Sequence, residues 1–132
     1  MDLKKIQRKE VLRFLVGGGS AVLTDYFFYH LLMIASLTLS LSKGISYILG
    51  AIVGFIINKL WTFESKQFQA KEIGKYTILY ICSAIANMII NSIVLWIFSS
   101  SLFAFLCATG VSTIINFLGQ KFFVFSKEDK TI

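Results

Sequence analysis

The chain has 132 residues, 56% of them hydrophobic, with no proline and a formal charge of +6. A soluble domain of this size cannot hide that much apolar surface, and the apolar runs leave no room for a soluble catalytic domain. The basic excess clusters by position along the chain, which argues for membrane topology and against nucleic acid as the partner.

Four apolar runs, at about 12–34, 41–62, 76–98 and 102–125, account for nearly the whole chain. Crossing a hydrocarbon core of about 30 Å takes about 20 helical residues, so each run is expected to span a membrane. Before the first run, Lys4, Lys5, Arg8 and Lys9 alternate with Leu3, Ile6, Val11 and Leu12. This pattern fits either an amphipathic surface helix or a solvated tail that sets orientation. Span one opens at Arg13 and is read as retained. It is too long for a signal peptide, carries Asp25 and His30, and lacks a small-residue cleavage site.

Gly17-Gly18-Gly19-Ser20 would only weaken a lipid-facing helix. Close packing of a second helix on this backbone is the expected reason, with close approach of a ligand the alternative. Asp25 is the one carboxylate inside the apolar runs. Twelve residues at 1.5 Å each put it about 18 Å beyond Arg13. An unpartnered charge at that depth costs about 2.5 kcal/mol or more. Gly18, Ala21, Asp25 and Tyr29 share one helical face. Asp25 is expected either to serve a ligand or to pin two helices through a hydrogen bond. His30 falls on a different face and is expected at the outer interface.

A Ser- and Thr-rich connection at 35–43 leads to span two, with Gly44, Gly50 and Gly54 and then Asn58-Lys59-Leu60-Trp61-Thr62-Phe63. Lys59 lies about one turn inside the boundary, where it can snorkel to water. Trp61 and Phe63 fit an aromatic anchor at that boundary. After a polar loop at 64–74, span three opens at Lys75-Tyr76 and carries Asn87 and Asn91. Span four follows Ser99–Ser101 and carries Ser112, Thr113 and Asn116 before Gln120-Lys121-Phe122-Phe123-Val124-Phe125. Phe123 and Phe125 are the matching aromatic anchors. Cys82 and Cys107 lie inside spans without metal-ligand spacing and are expected as packing residues, so no metal site and no cofactor are expected. The charged tail after Phe125 is expected to be loose.

The two span ends are related. When the chain is laid over itself with Lys59 on Lys121, Ile52, Phe55 and Phe63 fall on Ile114, Phe117 and Phe125. In the same register Asn58 falls on Gln120, Trp61 on Phe123, Asp25 on Asn87 and Arg13 on Lys75. The identities step by three, four and four, as on one face of a helix. The chain therefore reads as one domain, 1–132, holding repeats at about 13–63 and 75–125. Twelve of the thirteen Lys and Arg residues lie before span one, around the second connection or at the C-terminal end; only Lys43 lies by the other two connections. The positive-inside rule then places both termini and the middle loop in the cytoplasm, with anionic lipids as additional contacts. Repeats that start and finish on the same side would be parallel, related by an axis along the membrane normal. The fold class expected is an all-α membrane protein of four transmembrane helices, arranged as two parallel helix-hairpin repeats.

At these residues the sequence resembles the GtrA-like family, small four-span proteins of bacterial cell-surface polysaccharide synthesis. The match rests on Arg13-Phe14-Leu15-Val16-Gly17-Gly18, on Asp25, and on the closing motifs Asn58-Lys59-Leu60-Trp61-Thr62-Phe63 and Lys121-Phe122-Phe123-Val124-Phe125, and covers about residues 10–126. The family often has arginine where Lys59 and Lys121 stand and tryptophan where Phe123 stands. Cation and aromatic character survive, but a lysine grips phosphate less firmly than a bidentate arginine. The resemblance implies a multi-pass protein of the bacterial cytoplasmic membrane that presents a sugar carried on undecaprenyl phosphate. A membrane glycosyltransferase would load the lipid inside, and a second transferase outside would decorate a surface polysaccharide or teichoic acid. Arg13, Lys59, Lys75 and Lys121 are placed to hold the lipid phosphate. Asp25, Asn58, Asn87, Asn91, Asn116 and Gln120, with Ser112 and Thr113, are placed to line a polar groove for the sugar. Four short helices hardly enclose a channel, so a lateral groove or a homodimer interface is expected.

Two other readings compete. An adaptor that recruits or stabilises the transferase would need only surface contacts, which leaves the deep polar residues without a role. A small proton-coupled drug exporter would also have four spans and one acidic residue in the first, yet such proteins show little of the charge bias seen here. An enzyme is the least expected class, because no nucleophile, base and partner stand at a workable spacing.

Overall fold

A computed structural model describes residues 2–126. Four helices, and no strand among the described residues, make up the chain. After a 3-10 turn at Leu3–Lys5 come α1 (Arg8–Ile34), α2 (Leu39–Ile57), α3 (Lys71–Phe98) and α4 (Ser101–Gly119). α2 runs directly into a π-helical turn at Asn58–Thr62, and α4 into another at Gln120–Val124. With those turns included, the four helical segments have 27, 24, 28 and 24 residues and are apolar and long enough to cross a membrane. The chain is a multi-pass membrane protein.

α1 begins at Arg8, well before Arg13, so no separate amphipathic helix covers 1–12; only Leu3–Lys5 stands apart. The local reason is a cap. The Gln7 N–H donates to Glu10 Oε1 at 3.1 Å, which starts the helix early. Thr38 Oγ1 accepts from the Leu41 N–H and Ser100 Oγ from the Phe103 N–H, both at 3.2 Å, and these caps start α2 and α4. The middle loop is also shorter than its polarity implied, because α3 opens at Lys71. The charged tail expected to be loose, with Lys127 and Lys130, lies outside the described residues.

The chain forms two compact units, Met1–Lys66 and Gln67–Ile132. In the first, α1 packs on α2 and its π turn; in the second, α3 packs on α4 and its π turn. In the register that sets Lys59 on Lys121, α2 and α4 begin and end at matching positions, and so do the two π turns.

Each helix pair packs through small and polar residues together with a few aromatics, Phe14 and Phe63 in the first and Tyr76, Phe117 and Phe125 in the second, while many of its other large apolar side chains face outward. Ser42 and Ser46 are fully buried on α2, and Ala104 and Ala108 occupy the corresponding places on α4. Residues such as Ile34, Val22, Leu23, Trp96 and Leu102 are exposed. This inversion suits a lipid solvent, where apolar side chains gain nothing by leaving the surface and small residues let backbones approach. Of the three consecutive glycines, only Gly17 is packed: a Cβ there would lie 2.7 Å from Asn58 Oδ1 and 3.2 Å from Ile57 Cγ2. Gly18 and Gly19 face open space, so packing accounts for one glycine of the three. Cys82 is exposed and does not pack inside its unit, whereas Cys107 is half-buried.

Candidate functional site

The π turns are where the predicted cations and aromatics gather. A π turn closes through i→i+5 hydrogen bonds and admits one extra residue, which re-aims the side chains and carbonyls around it. The Phe63 N–H donates to Asn58 O at 2.9 Å, and the Phe125 N–H to Gln120 O at 2.8 Å. The carbonyls of the last turn lack helical donors, and a cation from the first helix of the same unit supplies them. Arg13 Nη1 donates to Trp61 O at 2.9 Å, and its guanidinium lies 5.1 Å from the Trp61 ring centre. Lys75 Nζ donates to Phe123 O at 3.4 Å and also lies 5.1 Å from its ring centre. One contact is made twice, once in each repeat, and each copy puts a positive charge at the negative end of a helix dipole. Trp61 and Phe123 are both 42% exposed. Phe63 and Phe125 are buried instead, because the wider turn swings them inward; they belong to the core rather than to an interface belt.

Lys59 is 5% exposed and donates to Ser65 Oγ at 3.2 Å, so it does not snorkel. The π turn rolls its side chain toward the protein and away from the boundary. Lys121, in the equivalent place, is half-buried with its Nζ 5.7 Å from the Phe122 ring centre.

Asn58 and Gln120 are both buried, with different fates. Asn58 Oδ1 accepts from Thr62 Oγ1 at 2.9 Å. In the second unit the residue at that place is Val124, which has no hydroxyl, and Gln120 Oε1 is buried without a hydrogen-bond partner. Asn116 Oδ1, one helical turn earlier, is also buried without one. Asn87 Nδ2 donates to Ser112 Oγ at 3.1 Å, while Ser83 Oγ donates to Ser112 O at 3.2 Å. These bonds tie α3 to α4. Asn91, one turn further along α3, is half-buried. Thr113 Oγ1 is turned back onto Thr109 O of its own helix.

Asp25 does pin two helices, through a partner that spacing did not reveal. Its Oδ2 accepts from Lys43 Nζ at 2.5 Å and its Oδ1 from Ser46 Oγ at 2.6 Å, both on α2. The helices cross closely at this point: a Cβ on Gly50 would lie 2.7 Å from Ala21 O and 3.2 Å from Asp25 Cβ. His30 is exposed and packs edge-on against Tyr26 and Tyr29, at 4.4 and 5.2 Å between ring centres.

Three further acidic residues matter and did not stand out in the sequence. Glu64 bonds Arg13 Nη1 at 3.0 Å and lies 3.6 Å from Lys9 Nζ. The Lys9 charge, together with the Arg13 hydrogen bond, holds the Glu64 carboxyl below the usual carboxylate range. Glu10 and Glu72 are both buried in the first turns of α1 and α3, and they too match in the register of the repeat. That match is legible once the repeat is extended about one helical turn upstream of Arg13 and Lys75.

The model of the GtrA/DPMS transmembrane-domain family matches residues 13–125. The chain belongs to that family. Its members' domain is associated with the flipping of polyprenyl-phosphate-linked sugars or with glycosylation from them. The matched region contains both π turns and all the cations, amides and aromatics expected to form the site.

Proposed function

We propose that this GtrA/DPMS-family protein moves an undecaprenyl-phosphate-linked monosaccharide across the bacterial cytoplasmic membrane. The sugar then serves glycosylation of a cell-surface polysaccharide or teichoic acid. Both termini and the middle loop lie inside, as the charge bias implies. In this reading the chain is not an enzyme: it receives the lipid from a membrane glycosyltransferase and changes no covalent bond.

The observation that carries the reading is the pair of buried acceptors beside the second π turn. Asn116 Oδ1 and Gln120 Oε1 have no hydrogen-bond partner, and a buried acceptor without a donor costs about 1–3 kcal/mol. A sugar hydroxyl is the donor such a pair accepts. Lys121 of the same turn and Lys75 of α3, which bonds the turn's Phe123 carbonyl, suit the phosphate that carries the sugar, since charge-assisted bonds to phosphate oxygens are the stronger kind. The apolar exterior of the helices suits a prenyl chain that stays in lipid throughout.

Cells carrying alanine at Lys59 and Lys121 are expected to keep the protein in the membrane and lose the surface sugar. Undiminished surface glycosylation in that double variant would refute the assignment of the phosphate site.

The burial of Lys59 against Ser65 favours a second reading, in which the chain is an adaptor that holds the transferase and transports nothing. The adaptor reading fails if Asn116 and Gln120 variants still bind the transferase but no longer display sugar.

A further inference from the structure

The first unit has a second station at its other end. At the π-turn end, Arg13 is flanked by a carboxylate, Glu64 at 3.0 Å, and by a ring, Trp61 at 5.1 Å. At the hairpin-turn end, Lys43 is flanked by Asp25 at 2.5 Å and by the rings of Tyr29 and Tyr47 at 6.0 and 5.9 Å. Cation, carboxylate and ring therefore recur at both ends of one helix pair. Sixteen residues separate Lys43 from Lys59 along the α2 segment, about 24 Å at 1.5 Å each, which is most of the hydrocarbon thickness. The Lys43 side chain is 57% exposed, so it is held without being enclosed. The second unit has no counterpart, since Phe105, Asn87, Ala108 and Asn91 stand where Lys43, Asp25, Ser46 and Tyr29 stand in the first.

We propose that Lys43 is the receiving site for the phosphate oxyanion of a lipid at the hairpin-turn end, with Asp25 as the positioning residue that holds it until the anion arrives. The inference rests on the translocation reading. A lipid phosphate leaving Arg13 and Lys59, the π-turn cations of this same unit, must be met by positive charge at the unit's far end, because a bare charge in hydrocarbon is costly. Lys43 is the one cation by either hairpin turn. It exchanges Asp25 for the phosphate, and Asp25 keeps its bond from Ser46, so the carboxylate is not abandoned. The tyrosine rings offer flat apolar faces to the C–H surface of a sugar. No covalent bond changes.

The test uses the full chain in phosphatidylcholine vesicles with undecaprenyl-phosphate glucose, following its exposure to an outside probe. Lys43→Met is expected to slow exposure about tenfold, the loss of one charge-assisted phosphate bond. Lys43→Arg is expected to retain most of the rate, Asp25→Asn, which leaves Lys43 without its positioning carboxylate, to slow exposure by less than Lys43→Met, and the neutral pair Asp25→Asn/Lys43→Met to be as slow as Lys43→Met. If the ion pair were only a clip between helices, both single variants would be slow and the neutral pair would recover. That pattern, or a Lys43→Met variant at the wild-type rate, overturns the proposal. A wild-type protein that gives no acceleration overturns the translocation reading itself, which no Lys43 variant is needed to see. Excess phosphatidylglycerol that slows wild type to the Lys43→Met rate identifies the site as one for any anionic headgroup; no slowing reserves it for the prenyl lipid.

Discussion

Buried acceptors without donors cost a folded protein about 1–3 kcal/mol each, and Asn116 and Gln120 keep two of them one helical turn apart. Replacing both with apolar side chains of similar size, Asn116→Leu with Gln120→Met, is therefore expected to raise the thermal midpoint and abolish transport. Thermal unfolding in detergent and a vesicle exposure assay read the two effects separately. A stabilised variant that still transports would make these amides structural leftovers. Glu64 gives a residue-scale prediction in pH. Its carboxyl is held below the ordinary range by the Lys9 charge and the Arg13 hydrogen bond. A depressed carboxyl contributes stability above its unfolded value, about 4.3, and loses it as pH falls through the lower folded value. Glu64→Gln should therefore lose stability near neutral pH and match wild type once acid has protonated Glu64. Parallel pH titrations of thermal midpoint check this. At this scale much was illegible in the sequence. Asp25 was visible as a charge needing a partner, but Lys43 lies 18 positions away across a hairpin turn and reads on its own as a boundary lysine. The fate of Gln120 depends on a hydroxyl missing from Val124; the four-residue spacing was legible, but the burial of the Gln120 side chain was not.

At the scale of elements, the two helix pairs solve one packing problem with opposite residues. Where α1 offers Gly17, α2 ends on Ile57; where α3 offers Leu79, α4 ends on Gly119, and the two pairs occupy equivalent places in the repeat. A Cβ on Gly17 would meet Ile57 Cγ2 at 3.2 Å, and one on Gly119 would collide with the Leu79 side chain. Large and small have changed sides while the contact has stayed. Gly119→Ile alone should cost about 1–3 kcal/mol through overpacking. Leu79→Gly alone should be destabilising through lost packing and added chain freedom. The double variant, which copies the first unit, should recover most of both losses in a thermal double-mutant cycle. Additive losses would mean that the two sites do not share this contact. The spans themselves were plain from apolar length, and so were the closing motifs from their spacing. The π turns were not. Steps of three and four residues fit an ordinary helix, and nothing in Asn58-Lys59-Leu60-Trp61-Thr62 marks the extra residue. That one unseen turn explains why Phe63 and Phe125 are buried where a boundary position was expected.

At the largest scale, the decisive property is one that each helix pair shows by itself: many large apolar side chains face outward, while Ser42, Ser46 and Asn58 in one pair and Ser83 and Gln120 in the other are buried. A lipid-linked sugar has the matching division, with an apolar chain and a polar head. This division, together with the family membership, supports the proposed transport, in which Lys59 and Lys121 at the two π turns are the residues to test. The most direct measurement is the rate at which undecaprenyl-phosphate glucose in sealed vesicles becomes accessible to an outside probe. It is taken without protein, with the wild-type chain and with Lys59→Ala/Lys121→Ala. Acceleration by the wild-type chain and its loss in the double variant are expected, with both proteins folded and equally incorporated. Equal acceleration by the two proteins would remove the phosphate site from the π turns, and no acceleration by either would contradict transport.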